Sequence, residues 1–159
     1  MPIIIGYAGI GKSTLGGREN GFVDLEVTSF LVNGNNHLEN WPPMFVRIAL
    51  DLSHQGYNVL VTGHSETREL FKTMNTTGEK IFMCYPSMHL KDLWVKKLHE
   101  RYVRTGLRKD CGTWFCAKNN FENHIKELVN DADRLGFTKI ELNDFNYVLK
   151  DVLVEAIKK

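Results

Sequence analysis

Gly6, Gly9, Gly11, Lys12 and Ser13 carry the strongest chemical signal in the sequence. They stand in Gly6-Tyr7-Ala8-Gly9-Ile10-Gly11-Lys12-Ser13-Thr14. A glycine, four residues and then Gly-Lys-Ser make the complete pattern of a phosphate-binding loop (P-loop). The pattern follows an apolar run, Ile3-Ile4-Ile5, as such a loop requires. Glycines reach backbone angles closed to other residues and let a ligand approach the main chain. The N–H groups so freed line a concavity for phosphate oxygens, and a helix N-terminus behind it adds partial positive charge. In this reading Gly6, Gly9, Ile10, Gly11, Lys12, Ser13 and Thr14 bind a nucleotide. Lys12 reaches the β- and γ-phosphates, and the Ser13 hydroxyl ligates Mg2+. A chance glycine-rich turn is the alternative, and it does not explain the strand before the loop or the helix after it.

Asp24 is the best-placed carboxylate. It falls in Phe22-Val23-Asp24-Leu25, a strand read as the neighbour of Ile3–Ile5, near the carboxyl end where open α/β sheets bind ligands. There it can accept a proton from an acceptor hydroxyl, hold Mg2+ through water, or bind substrate. A plain loop-capping aspartate is the alternative. Glu26 is a weaker companion. His64 and Arg68 follow the run Val59-Leu60-Val61-Thr62, a second carboxyl end on the same crevice. That run ends in Gly63-His64, with no acid where a Walker B carboxylate is expected. Either Asp24 takes the metal-proximal role, or Thr62 or His64 contacts the site. Arg68, a helical turn later, is placed to grip an acceptor phosphate. For His64 the bland reading is a loop histidine bonded to the backbone.

Arg101, Arg104 and Arg108 form a third group, thickened by Lys96, Lys97 and Lys109. Arg101 and Arg104 are three apart and share a helix face. Phosphoryl transfer needs fixed cations on the transferring group, and arginine supplies them with a planar fork of donors. A helix carrying them over the phosphates would also exclude water. A solvated basic face is the alternative.

These groups need a frame. Apolar runs at 3–5, 22–25, 58–62, 80–85 and 138–142 read as five strands. Helices are expected from Lys12 to Arg18, from Trp41 with Phe45, Ile48, Ala49 and Leu52 inward, from Glu66 to Met74 behind a Ser65 cap, and from Met88 to Arg104. Another runs from Asn119 to Leu135, and a last one to the C-terminus is capped by Asn143 or Asp144. The stretches 32–40 and 108–117 read as a polar loop and an irregular segment. Trp94, Tyr102 and Phe121 read as core rather than stacking surfaces, and Trp41 and Tyr85 are candidates for stacking. Strands alternating with helices give an α/β fold with a parallel sheet. In full, the expectation is a P-loop NTPase three-layer α/β/α sandwich. It has a five-stranded parallel sheet and an arginine-bearing helical lid at about 86–118, in one domain over 1–159.

Composition narrows the classes. The net charge of +1 gives no general attraction to nucleic acid or membrane. Cys84, Cys111 and Cys116 make neither a paired framework nor a zinc spacing, so reduced thiols are expected. No signal peptide or membrane-length run is present, and a cytoplasmic location follows.

With these residues in place, the chain resembles the small P-loop kinases of the nucleoside/nucleotide monophosphate kinase group. Within that group it resembles short P-loop proteins of Gram-positive bacteriophages described as nucleotide kinases. The likeness rests on Gly6 to Thr14, Phe22 to Glu26, and Val61-Thr62-Gly63-His64-Ser65 with Arg68. It continues through Tyr85-Pro86-Ser87 with Leu90, Lys91 and Trp94, and Arg101-Tyr102 with Arg104. The resemblance implies transfer of the γ-phosphoryl group of ATP, with Mg2+, to a (deoxy)nucleoside monophosphate or related nucleotide. Lys12 and Ser13 carry over as phosphate and Mg2+ ligands, Arg68 as an acceptor arginine, and Arg101, Arg104 and Arg108 as lid arginines. Gly63-His64-Ser65 stands where the adenylate-kinase type has Asp-Gly-x-Pro-Arg, which leaves the acceptor open. Small-molecule nucleotides are the expected partners, in the host-cell cytoplasm if the chain is phage-encoded, and a homodimer is left open. Two other readings stand beside this one: a kinase of hydroxymethylated pyrimidines in DNA, and a nucleotide-binding regulatory module.

Overall fold

Ile3, Ile4 and Ile5 are fully buried in β1 (Ile3–Gly6). Successive strand residues point to opposite faces, so three in a row without exposure mean that both faces of this strand are covered. The computed structural model describes residues 1–17, 21–26, 31–32, 36–37 and 40–158. After β1 come α1 (Lys12–Leu15), β2 (Phe22–Leu25) and a small antiparallel hairpin of β3 (Leu31–Val32) and β4 (Asn36–His37). Next are α2 (Trp41–His54), β5 (Asn58–Thr62), α3 (Ser65–Met74) and β6 (Ile81–Pro86). A 3-10 turn at Met88–Leu90 leads into α4 (Lys91–Thr105), α5 (Arg108–Leu135), β7 (Thr138–Leu142) and α6 (Leu149–Lys158).

Five of the strands make one all-parallel sheet in the order β2-β5-β1-β6-β7, flanked by helices. All five carboxyl ends therefore lie along one edge, and β1 delivers its following loop to the middle of that edge. The buried apolar side chains form a continuous cluster around β1, β5 and β6, with Phe45, Phe71, Trp94 and Phe121 as its largest fully buried members outside the strands.

Several sequence expectations change. β2 pairs with β5, with Asp24 opposite Leu60, so Asp24 is two strands from β1 rather than on its neighbour. Residues 108–117 are helix, not an irregular segment: α5 runs from Arg108 through one non-helical residue, Asn120 (φ −134°, ψ 18°). Packing against α4 overrides the weak local propensity of that stretch. α1 stops at Leu15 because Gly16 is extended (φ −61°, ψ 121°). In α2 the inward stripe is Phe45, Val46, Ala49 and Leu50, while Ile48 faces solvent. His64, not Ser65, holds the position before α3. α6 begins at Leu149, and Asp144 instead accepts a bond from the Asn146 amide. Arg18 and loop residues 33–35 and 38–39 lie outside the described residues.

Candidate functional site

The glycine-rich loop between β1 and α1 closes around itself. Gly9 and Gly11 have φ of 84° and 107°, which only glycine adopts without strain. A Cβ at Gly6 would stand 2.4 Å from Ile10 Cδ1, the tip of a side chain that would have to swing aside. Lys12 folds back over the loop and donates from Nζ to the carbonyls of Gly6 (3.3 Å) and Tyr7 (3.2 Å). Two more loop carbonyls accept bonds from far along the chain. The Trp94 indole donates to Ala8 (2.8 Å), and the Tyr147 hydroxyl to Ile10 (2.6 Å). The Tyr7 amide bonds Cys84 of β6 (2.9 Å), which ties the loop to the sheet.

Charge gathers around Lys12. Burial pushes its ammonium down to about 8, the carboxylate of Asp24 partly offsets this, and Arg101 adds to it. Burial also raises the Asp24 carboxyl, Lys12 and Lys109 pull it back, and Glu26 pushes it further up. Lys12, Asp24, Glu26, Arg101 and Lys109 therefore act on one electrostatic field. Asp24 reaches it despite its strand position because Gly16 lets the end of α1 lie against β2. The Cys84 thiol is pushed up to about 12 by burial and stays protonated, so it is not a nucleophile here.

α4 and the first half of α5 form a helical hairpin with its base on the loop, the place expected for a lid. Asp110 is buried at its turn. It takes a hydrogen bond from Thr105 and pairs with Arg101, Nε to Oδ1 at 3.2 Å. The contact with Arg101 is one of charge: its Nε makes no hydrogen bond within the protein, so the guanidinium keeps donor capacity. Arg104, Arg108 and Lys109 are exposed around the hairpin turn.

The acceptor side differs from the sequence reading. Arg68 is buried and turns both terminal nitrogens into the protein, onto Glu127 (2.8 Å), Asp131 (2.8 Å) and the Gly63 carbonyl (2.8 Å). It braces α3 to α5, and an acceptor phosphate would have to displace those carboxylates. His64 lies at the carboxyl end of β5, where its ring meets Trp41 edge-on at 5.6 Å. Trp41 and Tyr85 are themselves largely buried. Cavities of about 230 Å³ (Tyr85, Ser87, Ile125 and Glu141 in its wall) and 440 Å³ (Lys72, Glu79, Phe137) lie away from the loop.

Ser13 and Asp24 offer oxygen alone, the donor type of Mg2+, which keeps waters and takes phosphate oxygens to complete its shell. Among the described residues no three His, Cys, Asp or Glu side chains cluster as a self-sufficient metal site, so any Mg2+ would come with a phosphate ligand. The sequence reading missed Tyr147 and placed Trp94 only in the core. Neither has a local signal, because both act on residues 86 or more positions away.

The fold is thus α/β, with a five-stranded all-parallel sheet whose central strand feeds a glycine-rich loop ringed by charged side chains. No protein-family model matches the chain, and no curated protein matches it. Among the described residues no helix is long and apolar enough to cross a membrane.

Proposed function

We propose that this chain is a P-loop nucleotide kinase that moves the γ-phosphoryl group of ATP to a (deoxy)nucleoside monophosphate or related nucleotide. The observation that carries the reading is Lys12. Its ammonium sits on the loop carbonyls, partly stripped of water, within the opposing charge fields of Asp24 and the hairpin arginine Arg101. An amine held at that cost is suited to a polyanion, which restores its charge balance. The resemblance noted from the sequence points to the same class.

In the reaction an acceptor oxygen attacks the γ-phosphorus, the bond to the β–γ bridging oxygen breaks, and ADP leaves. Lys12 neutralises the β- and γ-oxygens, and Arg101 stabilises the equatorial charge from above. A monophosphate acceptor attacks through an oxygen that is already ionised, so no strong base is needed. Asp24 with Ser13 then holds the Mg2+, which supplies charge neutralisation when bound. Arg104 and Arg108, exposed at the hairpin turn, reach the phosphates only as the hairpin closes further. Arg68 stays a brace, which leaves His64 and Glu26 on the acceptor side.

The test is ADP release from ATP and Mg2+ with a panel of nucleosides, nucleoside monophosphates and modified-base DNA. Stimulation by a mononucleotide supports the reading. Stimulation by modified DNA alone, lost steeply with salt, identifies the base-in-DNA kinase instead. No stimulation above the water background leaves a nucleotide-binding module.

A further inference from the structure

The outward carbonyls of the glycine loop bring a second set of residues to the proposed phosphate site. In a trans peptide the carbonyl of one residue and the N–H of the next point in opposite directions. A donor that grips the Ala8 carbonyl from outside therefore turns the Gly9 N–H inward. A donor on the Ile10 carbonyl does the same for Gly11. Trp94 and Tyr147 are those donors, at 2.8 Å and 2.6 Å. Gly9 and Gly11 are the two loop glycines with positive φ, where an unsubstituted backbone has the most freedom to lose. Nothing in their own chemistry holds those peptides one way round.

The two donors come from different parts of the chain and are joined to each other. Their rings stack with centroids 6.1 Å apart and planes 4° from parallel. The Lys97 ammonium lies over both, 4.6 Å from Trp94 and 5.5 Å from Tyr147, and 5.6 Å from Phe145. Cation–aromatic contacts of this kind tie the 143–148 segment to α4. Lys97 is one helical turn before Arg101, so the helix that presents Arg101 also grips the loop. Burial raises the Tyr147 hydroxyl far above the ordinary tyrosine range, so it remains a donor at any working pH.

We propose that Trp94 and Tyr147 are positioning residues of the phosphate site. They hold the Gly9 and Gly11 N–H groups in the anion-binding orientation, and so make polyphosphate binding and docking of the α4–α5 hairpin a single coupled event. The assignment rests on the nucleotide reading above.

The test uses Tyr147→Phe and Trp94→Phe in the full chain, each of which deletes one donor and keeps an aromatic ring. The probes are inorganic pyrophosphate and ATP by calorimetry, with amide hydrogen exchange of the peptide spanning 6–14. Asn75→Ala is the stability control: it removes two bonds to the Glu79 main chain (2.7 and 2.9 Å) at the opposite edge of the sheet. Tyr147→Phe should weaken pyrophosphate binding about three- to tenfold and speed exchange in 6–14. Asn75→Ala should lower Tm and leave pyrophosphate binding unchanged. A folded Tyr147→Phe with wild-type affinity and wild-type loop exchange overturns the assignment alone, as does an Asn75→Ala chain that binds pyrophosphate equally weakly. Trp94 is fully buried, so if Trp94→Phe does not fold, Tyr147→Phe decides. A wild-type chain that binds neither pyrophosphate nor ATP overturns the nucleotide reading, and this assignment falls with it.

Discussion

Gly16 lies against Asp24 so closely that a Cβ added at Gly16 would stand 2.6 Å from the Asp24 Cβ. That contact brings a carboxylate from β2 into the field of Lys12, although β5 separates β2 from β1. Gly16 itself has an ordinary extended backbone, so space alone requires glycine there.

Gly16→Ala should therefore act through Asp24. The obstructing atom is the root of a side chain and cannot swing away, so α1 or β2 must shift. Stability should fall by about 1–3 kcal/mol, as for other overpacked sites. ATP turnover should fall more than the Tm shift alone explains. Wild-type turnover in a soluble Gly16→Ala chain would show that Asp24 does not serve the site.

Lys12 gives a pH signature. Its ammonium titrates near 8 in the folded chain, against 10.5 for an unperturbed lysine. Between those values the unfolded chain binds more protons, so this group makes ligand-free stability rise with pH across that window. Polyphosphate binding wants the charged form, so pyrophosphate affinity should fall as pH passes above about 8. In Lys12→Ala the turnover should drop by two orders of magnitude or more, the fold should persist, and this pH dependence should vanish. Calorimetry at several pH values separates the cases.

The arginines should not be equivalent. Arg101 lies in the Lys12 field and keeps an unbonded Nε, whereas Arg104 is exposed at the hairpin turn. Arg101→Ala should lower kcat by about a hundredfold or more, with a smaller change in KM for ATP. Arg104→Ala should cost about tenfold at most. Steady-state kinetics that reverse this order would place Arg104 on the transferring group.

Arg68→Ala should be a stability variant. It leaves a void and takes one cation from the mostly buried Asp131, while Glu127 stays half exposed and Arg134 still pairs with Asp131, at a cost of about 2 kcal/mol, or about 4 to 8 °C in Tm. Burial alone would raise the Asp131 carboxyl, but hydrogen bonds and charge from Arg68 and Arg134 hold it below the ordinary range. A carboxyl held low adds stability above that range and loses it as pH falls through its folded value. The gap between wild type and variant should therefore narrow in strong acid. Thermal melts at neutral and acid pH check this.

How much of this was legible in sequence depends on the range of each contact. The loop from Gly6 to Thr14 and its strand were readable because glycine spacing and an apolar run are local. The sequence places Asp24 on the crevice as a proton acceptor, Mg2+ holder or substrate ligand, but through the wrong neighbour. Apolar runs suggest adjacent strands, whereas β5 lies between β2 and β1 and the Gly16 contact, which no periodicity encodes, brings Asp24 near Lys12. Arg68 reads as an acceptor arginine from its place after β5. Its carboxylate partners are 59 and 63 residues away, on a helix whose register cannot be read from Arg68's own surroundings. The 108–117 segment looked irregular because Gly112 and its polar neighbours favour no helix alone. The buried Asp110 and packing on α4 decide it.

The most direct measurement is phosphorus NMR of ATP, Mg2+ and a mixture of deoxynucleoside monophosphates with the wild-type chain. A phosphotransferase of the proposed class should convert ATP and one monophosphate into ADP and a second nucleoside diphosphate, with loss of that monophosphate resonance and no inorganic phosphate, and the conversion should be lost in Lys12→Ala. ATP that stays intact, or that yields only ADP and inorganic phosphate with every monophosphate unchanged, would contradict it.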